Sequence, residues 1–550
     1  MTSLLSHALC QGMIAQGIDK LYCLPGVQND DFFNGLVDFP ALEPIVVRHE
    51  QACSYMATGA ALASGRPQAY CTVPGQGVLN AAAGHSTAFA TGARIFALLG
   101  QNKADFIGQM HGQLHEIPNQ MAVVDQISKH AVGLRAAADA PGQIAAAFRA
   151  LISGHPAPVT VECPLDLWSS PVDPVAPGDP AFPEVDQDAI DRAADLLAAS
   201  RAPVIVVGGG AQGAPEALRE LAHMLKAPVT ARCQGKGAYD DRLPYAAPSP
   251  VAHEFWKTAD VALGIGTRFM WHEMVWGVDD DLALIQINAD PGEVNRRGQI
   301  EVAINAMAEH ALPALIEALG KRLGQREDQA DAVAARKAAF HADLEDTLQP
   351  QMAHLGAIRD VLGEDGVFLD DLTQVTYSAR YAYPTYRPRT YVASGYAGTL
   401  GWGVPAGIGA KIASPDQRVL VVQGDGGFMY GAAELATAVK YNVPVVILVY
   451  NDSAYGNVKR IQTQRFGDNR VIATDLVNPD LVAFAESFGA FAMRSGPGPE
   501  DLRNALEAAF DAGGPALVEM PVPEMYPSPW KHVFLPTVRG PAQRPLLFPD

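Results

Sequence analysis

The segment 419–452 constrains the fold of this chain more than any other part of the sequence. It holds an apolar run, a glycine-rich turn, a helical pattern and a second apolar run, which together predict one βαβ unit. Asp425 ends the first strand between two glycines, and Asn451 and Asp452 end the second. Because neighbouring parallel strands end at the same edge of a sheet, these oxygens are expected to converge on one hard cation.

The turn after Asp425 suits an anion as well as a metal. Gly426 and Gly427 let the backbone approach a ligand closely, and the helix that follows presents free N–H groups. Mg²⁺ is commonly shared between carboxylates and phosphates, so a diphosphate held through Mg²⁺ is predicted here. An ordinary turn with a solvated aspartate is the alternative, and the polar residues at the second strand end disfavour it.

The alternation of apolar strands with helical patterns runs through the whole chain. A Pro- and Asp-rich stretch at 169–188 predicts a linker, and a charged helical run at 322–347 precedes the last block. We predict an α/β fold of three doubly wound, mainly parallel-sheet domains. The predicted domains are 1–170, 185–345 and 350–550.

Composition limits the partners of the chain. Its 550 residues include 40 basic and 60 acidic residues, and the formal net charge of −20 repels nucleic-acid phosphates and anionic membranes. The six cysteines contain no CxxC pair, so neither a disulfide framework nor a zinc site is indicated. No signal-peptide pattern opens the chain, and no apolar stretch approaches ~20 residues. We therefore expect a cytoplasmic protein with no nucleic-acid partner and no membrane partner.

The βαβ unit resembles the signature of thiamine-diphosphate-dependent enzymes of the acetolactate synthase type, GDG followed after a helix and a strand by NN. The second Asn of that signature is Asp452 here, which offers the same oxygen with an extra charge. The resemblance implies thiamine diphosphate and Mg²⁺ as cofactors. It implies metal ligands at Asp425, Asn451, Asp452 and the Ala454 carbonyl, and further cofactor contacts at Gly424, Gly426, Gly427, Tyr455 and Gly456.

The segment 44–65, PIVVRHEQACSYMATGAALASG, resembles the part of the same family in which a strand ends in HE and a helix follows. The matching glutamate, Glu50, is implied to share a proton with the aminopyrimidine of the cofactor, which is a general acid–base role. A helix-dipole partner at the start of the helix is the alternative. The family places this glutamate and the diphosphate site on different subunits, which implies a homodimer or homotetramer with sites at the interface.

Four further segments, 391–411, 74–81, 113–120 and 371–377, extend the resemblance over nearly the whole chain. In the third, the resemblance implies that two catalytic residues, His115 and Glu116, face the substrate. A hydrogen-bonded structural histidine is the alternative for His115. The remaining implied cofactor contacts are Pro74, Gly75, Asn80, Gln374, Gly398 and Leu400, of which Leu400 would bend the cofactor and Gln374 is also a candidate substrate contact.

Several departures separate the chain from biosynthetic acetolactate synthases. Ile461 stands where the family has a Trp that favours larger second substrates, and residues 244–249 replace a GMHG stretch. Flavin contacts are not recognisable in residues 268–277, so FAD is left open. The glycines at 208–213 form a GxGxxG, but no acidic residue follows ~20 residues later. This predicts a Rossmann-like central domain that does not bind NAD.

The predicted function is that of a thiamine-diphosphate-dependent lyase or carboligase acting on a 2-oxo acid or a related small carbonyl compound. The alternatives are a non-decarboxylating dione hydrolase, a CoA-thioester lyase and a flavin oxidoreductase similar to pyruvate oxidase. A CoA lyase needs a basic nucleotide pocket, for which only Arg268, Arg296 and Arg297 stand out. A catalytically silent binding subunit is disfavoured because Glu50 and Asp425 are both present.

Overall fold

The computed structural model describes residues 3–176 and 178–541. Three parallel sheets, each covered on both faces by hydrophobic cores, confirm the predicted fold class. The three domain ranges remain predictions. Pro177 of the predicted linker and residues 542–550 of the predicted third domain lie outside the described residues.

The N-terminal part forms a six-stranded sheet from β2 to β7, and β1 pairs with β8 in a separate antiparallel ribbon that the sequence patterns did not indicate. The strands are β1 (Ser3–Leu4), β2 (Lys20–Cys23), β3 (Glu43–Val46), β4 (Gln68–Thr72), β5 (Ile95–Gln101), β6 (His130–Gly133), β7 (Val159–Pro164) and β8 (Pro171–Val172). The helices are α1 (Leu5–Ala15), α2 (Asp30–Leu36), α3 (Glu50–Ser64), α4 (Gln76–Thr91), α5 (Gln120–Asp125) and α6 (Ala140–Ile152).

The central part forms a five-stranded parallel sheet. Its strands are β9 (Pro203–Val207), β10 (Val229–Ala231), β11 (Val261–Ile265), β12 (Ala283–Asn288) and β13 (Val302–Asn305). Its helices are α7 (Gln187–Ala199), α8 (Pro215–Leu225), α9 (Ser249–Trp256), α10 (Ala308–Gly320) and α11 (Ala330–Thr347). Of the charged helical run predicted at 322–347, only residues 330–347 are helical, as α11.

The C-terminal part forms the third sheet, again of six parallel strands. Its strands are β14 (Val367–Asp370), β15 (Tyr391–Ala393), β16 (Val419–Gly424), β17 (Val446–Asn451), β18 (Phe491–Arg494) and β19 (Ala516–Pro521). Its helices are α12 (Gln351–Leu362), α13 (Gln374–Ala382), α14 (Gly403–Ala413), α15 (Asp425–Gly431), α16 (Leu435–Lys440), α17 (Gly456–Phe466), α18 (Leu481–Ser487), α19 (Pro499–Asp511) and α20 (Trp530–Val533).

The two outer sheets share one strand order, which locates the site. The orders are β3-β2-β4-β5-β7-β6 and β15-β14-β16-β17-β19-β18, so each sheet reverses its winding direction beside its first strand. At such a point the loops after the two neighbouring strands separate and leave a crevice for a ligand. In the C-terminal sheet the crevice lies between the ends of β14 and β16, where the GDG turn begins.

The outer sheets are joined through a common hydrophobic core, to which α3 contributes from the N-terminal part and α14 from the C-terminal part. These two helices pack at backbone distance, because a Cβ at Gly59 would lie 2.1 Å from the Ala406 carbonyl oxygen and one at Gly409 would lie 2.0 Å from that of Met56. Glycine is therefore required at the crossing. The helix that begins with Glu50 is thus fixed rigidly against the C-terminal sheet.

Gly59→Ala is expected to destabilise the protein although alanine is the better helix former. The added methyl group overpacks the crossing at a cost of about 1–3 kcal/mol, which exceeds the roughly 1 kcal/mol gained in helix propensity. The matched control is Gly356→Ala in α12, where a Cβ would meet nothing within 4 Å and stability should rise. Denaturant unfolding measures both changes, and equal stabilisation of the two variants would contradict the close crossing.

No helix within the described ranges is both long and apolar enough to cross a membrane. All six cysteines are free, and five of them are buried. This arrangement agrees with the absence of a disulfide framework expected from the sequence.

Candidate active site

Two carboxylates lie at adjacent strand ends of the C-terminal sheet. Parallel pairing sets Gly424 of β16 opposite Tyr450 of β17. Asp425 therefore lies level with Asn451, and Asp452 lies one residue beyond on the β17 side. The Asp425 side chain is 1% exposed. Burial and the charge of Asp425 raise the pKa of Asp452 to about 6, since two carboxylates held together in a partly buried place repel each other. A divalent cation between them would relieve that repulsion.

Hydrogen bonds hold Asp452 in place from both sides. Its Oδ2 accepts from Gln374 Nε2 at 2.7 Å, and its Oδ1 accepts from the Ala454 N–H at 3.2 Å. A Cβ at Gly456 would lie 2.0 Å from Oδ2, so only glycine leaves room for the carboxylate at the start of α17. The sequence-derived set Asp452, Ala454 and Gly456 is therefore brought together by the structure, along with Gln374 at the start of α13.

Asn478 is a site residue that no sequence pattern indicated. Its Nδ2 donates to Asp425 Oδ2 at 2.6 Å and to Asn451 Oδ1 at 3.0 Å. The Nδ2 of Asn451 in turn donates to Glu519 Oε1 at 2.8 Å. Asn478 lies in the loop before α18, far along the chain from the strand ends, so only the folded chain brings it to the metal-candidate oxygens.

Both the oxygen and the nitrogen of the Gln374 side-chain amide form hydrogen bonds within the protein. Besides its bond to Asp452, its Oε1 accepts from the Tyr526 N–H at 2.8 Å and from Arg460 at 3.2 Å. Arg460 is buried and also contacts Met525. The C-terminal segment thus lies directly against the site, and Gln374 connects it to Asp452.

The loop between β15 and α14 lies beside the GDG turn. Gly398 is exposed with a φ of 57°, and Leu400 is half-buried. Between them, Thr399 Oγ1 shares a 2.7 Å hydrogen bond with Tyr55 Oη of α3. The family resemblance implies that this loop, with Gly398 and Leu400, contacts the aminopyrimidine. The loop is therefore tied, within one chain, to the helix that begins with Glu50.

Glu50 is the first residue of α3 and is half-buried. Its Oε2 accepts from Asn80 Nδ2 of α4 at 3.1 Å. The corner before it is held by a residue that the sequence did not single out. Glu434 Oε1 accepts from the N–H groups of Arg48 and His49 at 3.0 and 3.1 Å, and burial raises the pKa of Glu434. A carboxylate from the turn before α16, in the C-terminal part, thus positions Glu50.

The structure also brings together the segments that carry Pro74, Gly75 and His115. Pro74 and Gly75 are buried at the turn before α4, and a Cβ at Gly75 would lie 2.0 Å from the His115 carbonyl oxygen. His115 Nδ1 lies 3.2 Å from Gln76 Oε1, one helical turn from Asn80. His115 is therefore near Glu50 through α4, and it also makes the hydrogen bond expected of a structural histidine.

Glu116 is held by the backbone of its own turn. Its Oε2 accepts from the Gln113 N–H at 2.9 Å, and this bond holds the pKa of Glu116 below its usual value. Its Oε1 has no hydrogen-bond partner among residues 3–176 and 178–541. One carboxylate oxygen therefore remains available for a further contact.

A cavity of about 490 Å³ lies where the central sheet meets the two outer ones. The glycines at 208–210 line it at the end of β9, and five arginines surround it: Arg94, Arg232, Arg268, Arg380 and Arg389. Of the three arginines that the sequence suggested, only Arg268 lines the cavity. Arg296 instead pairs with Glu293, and Arg297 pairs with Glu273. The lining also contains Asp290 and Glu309, and Arg380 is paired with Asp370 and Arg268 with Glu293. The cavity is thus basic on balance, mostly through residues that are distant in sequence.

Comparison with known proteins defines the class to which this site belongs. Three family profiles match the chain: the N-terminal TPP binding domain of thiamine pyrophosphate enzymes over residues 4–123, their central domain over 190–315 and their C-terminal TPP binding domain over 371–520. The chain belongs to the thiamine pyrophosphate enzyme family. It is an enzyme that depends on thiamine diphosphate and is similar to acetolactate synthases, as the sequence resemblance implied.

Its relatives align over almost their whole length. A probable 2-ketoarginine decarboxylase of Pseudomonas aeruginosa is 31% identical over 532 residues, which cover 94% of this chain and 93% of the relative. A probable acetolactate synthase large subunit of Methanocaldococcus jannaschii is 29% identical over 547 residues, with 94% and 91% covered. The acetolactate synthase of Bacillus subtilis is 28% identical over 540 residues, with 93% and 91% covered.

Proposed function

We propose that this chain cleaves the carbon–carbon bond beside the carbonyl of a 2-oxo acid, releases CO₂ and passes the remaining acyl unit to a proton or to a carbonyl acceptor. The pair of carboxylates at the ends of β16 and β17 carries the proposal, because such a pair suits a metal-held diphosphate. The similarity to a decarboxylase and to acetolactate synthases over more than nine-tenths of the chain supports it.

The proposed metal is Mg²⁺, with Asp425, Asn451, Asp452 and the Ala454 carbonyl as its ligands. The donors are all oxygens, as Mg²⁺ prefers, and burial together with the charge of Asp425 raises the pKa of Asp452, a repulsion that a divalent cation would relieve. Gln374 and Asn478 orient the two carboxylates from outside, as hydrogen-bonded neighbours do in metal sites. Gly424, Gly426, Gly427 and Tyr455 are the proposed diphosphate contacts.

In the proposed mechanism Glu50 holds and returns a proton at the aminopyrimidine ring, a general acid–base role. When bound, thiamine diphosphate supplies the nucleophilic carbon and the electron sink of the reaction. Gly398 and Leu400 would contact the aminopyrimidine end of the cofactor, and His115 and Glu116 would face the substrate carbonyl. We also propose a homodimer or homotetramer with sites at the subunit interface. Exposed apolar residues near the proposed site residues, such as Leu79, Leu114 and Tyr430, are in keeping with such an interface.

A panel of 2-oxo acids tests this proposal, including pyruvate, 2-oxobutyrate and an acid with a guanidino side chain. We expect CO₂ release from at least one of them, and acyloin formation if a carbonyl acceptor is used. Because Ile461 replaces a bulky Trp, competition between pyruvate and 2-oxobutyrate as acceptors should show little preference. Cleavage of diones without CO₂ release from any 2-oxo acid would contradict the proposal.

The basic cavity favours a second ligand that carries phosphates, so a CoA-thioester substrate or a bound flavin is the second candidate. Five arginines around about 490 Å³ suit a nucleotide diphosphate. The same panel, extended with CoA thioesters of the acids, separates these outcomes. A flavin would give the purified protein a yellow colour and oxygen consumption, and a CoA substrate would be cleaved where the free acid is not.

A further inference from the structure

Asp371 stands at the point where the two proposed cofactor loops meet. It directly follows β14, and its N–H donates to the Val422 carbonyl of β16 at 3.0 Å. It therefore lies at the winding reversal of the C-terminal sheet, where a ligand crevice is expected. The side chain is 1% exposed, which is rare for an aspartate without a specific task.

The carboxylate bonds the backbone of the loop that carries Leu400. Oδ2 accepts from the Gly403 N–H at 3.1 Å, and a Cβ at Gly403 would lie 2.7 Å from the same oxygen. The neighbouring Trp402 donates from its indole to the Asp370 carbonyl at 3.2 Å. One end of this loop is thus fixed to the tip of β14, while Thr399 is fixed to Tyr55 of α3.

The GDG turn lies close to the same carboxylate. A Cβ at Gly427 would lie 3.4 Å from Asp371 Oδ2 and 3.7 Å from the Gly401 nitrogen, so both glycine-rich segments lie near this oxygen. Any displacement of Asp371 would therefore shift the two segments relative to each other.

The electrostatics show that the position is costly. Burial raises the pKa of Asp371 to about 7, and its Oδ1 has no hydrogen-bond partner in the described part of the chain. The buried amide of Gln423 beside it also makes no hydrogen bond to a described residue. An aliphatic side chain would avoid this cost. The hydrogen bond that Oδ2 accepts is therefore the feature that an aspartate provides here and an aliphatic residue would not.

We propose that Asp371 is a positioning residue that sets the loop of Gly398 and Leu400 relative to the GDG turn, and with it the place of the aminopyrimidine relative to the diphosphate. This inference rests on the proposed function, because it assigns the two loops to the two ends of one cofactor. Asp371 acts through the Gly403 N–H and is not itself proposed to contact the aminopyrimidine or the diphosphate.

The test compares Asp371→Ala with Asp371→Asn, which keeps an oxygen acceptor, and with the exposed control Asp416→Ala. Three quantities are measured: thermal midpoint, affinity for thiamine diphosphate with Mg²⁺, and hydrogen–deuterium exchange at the thiazolium carbon at saturating cofactor. We expect exchange to slow by at least about 10-fold in Asp371→Ala, since small misplacements of reacting groups cost this much or more. Exchange should be largely retained in Asp371→Asn and unchanged in the control.

Gly403→Ala provides an independent test should Asp371→Ala fail to fold. Its added methyl group would lie 2.7 Å from Asp371 Oδ2 and would displace that oxygen. Exchange within twofold of wild type in a folded, saturated Asp371→Ala or Gly403→Ala protein would overturn the inference. Equal loss in Asp371→Asn would also overturn it, because the charge and not the acceptor would then matter. Failure of the wild-type protein to bind thiamine diphosphate would instead overturn the proposed function.

Discussion

Glu50→Gln is expected to leave the fold and cofactor binding intact while slowing catalysis by about 10²–10⁴-fold, the usual size of a general acid–base contribution. Glutamine keeps the shape of the side chain and an oxygen that can accept from Asn80, which lies 3.1 Å from Glu50 Oε2. It cannot exchange a proton with the aminopyrimidine. The decisive measurement is hydrogen–deuterium exchange at the thiazolium carbon of the bound cofactor, recorded together with the thermal midpoint.

The control is Glu43→Gln, which makes the same chemical change at an exposed position of β3 in an ion pair with Lys20. It should exchange as wild type does. A normal exchange rate in Glu50→Gln would show that Glu50 has no proton-sharing role. A collapse of its thermal midpoint would favour the alternative, in which Glu50 supports the start of α3 through the helix dipole.

Removal of the metal is expected to abolish turnover. Treatment with a chelator at mildly alkaline pH should yield inactive apoprotein, and thiamine diphosphate together with Mg²⁺ should restore it, because the diphosphate and the two aspartates need the shared cation. Asp425→Asn should weaken metal binding by at least about 100-fold, since even residues behind the ligands typically contribute 10–100-fold. Ligand-induced shifts in the thermal midpoint report this binding without an activity assay.

Recovery with thiamine diphosphate in the continued absence of any divalent cation would contradict the shared metal site. The control is Asp511→Asn, an exposed position at the end of α19. Mixing Glu50→Gln with Asp425→Asn protein adds a test of assembly. If each site draws Glu50 from one subunit and Asp425 from another, mixed dimers contain one site without either substitution, and part of the activity returns.

Sequence reasoning was strongest where the interaction is local in the chain. The approach of Asp425, Asn451 and Asp452 follows from a single βαβ unit, since parallel strands that follow each other in sequence are most often neighbours in the sheet. The three-sheet fold followed for the same reason, because each strand and helix carries its own apolar period. The glycines at 424, 426, 427 and 456 could likewise be predicted as site residues, because they are part of the local motif and are read directly from the sequence.

Other parts of the site depend on contacts between residues far apart in the chain. Asn478 donates to Asp425 from a loop. Glu434, in the C-terminal part, accepts from the backbone just before Glu50. The arginines of the central cavity come from all three parts of the chain. None of these residues belongs to a periodic pattern or a fixed spacing. Of the three arginines that stood out in the sequence, Arg296 and Arg297 do not line this cavity, and each is paired with a glutamate.

By itself, then, the sequence determined the α/β class, the strand ends that carry the carboxylates and the thiamine-diphosphate family, because these depend on short-range order along the chain. Tertiary structure alone decided which buried groups hold those elements in register. Asp371 illustrates the division. It stands one residue beyond a predictable strand, but its proposed role depends on its hydrogen bond with the Gly403 N–H and on the nearby Gly427. Only the reversal of the sheet brings these two segments close to the same oxygen.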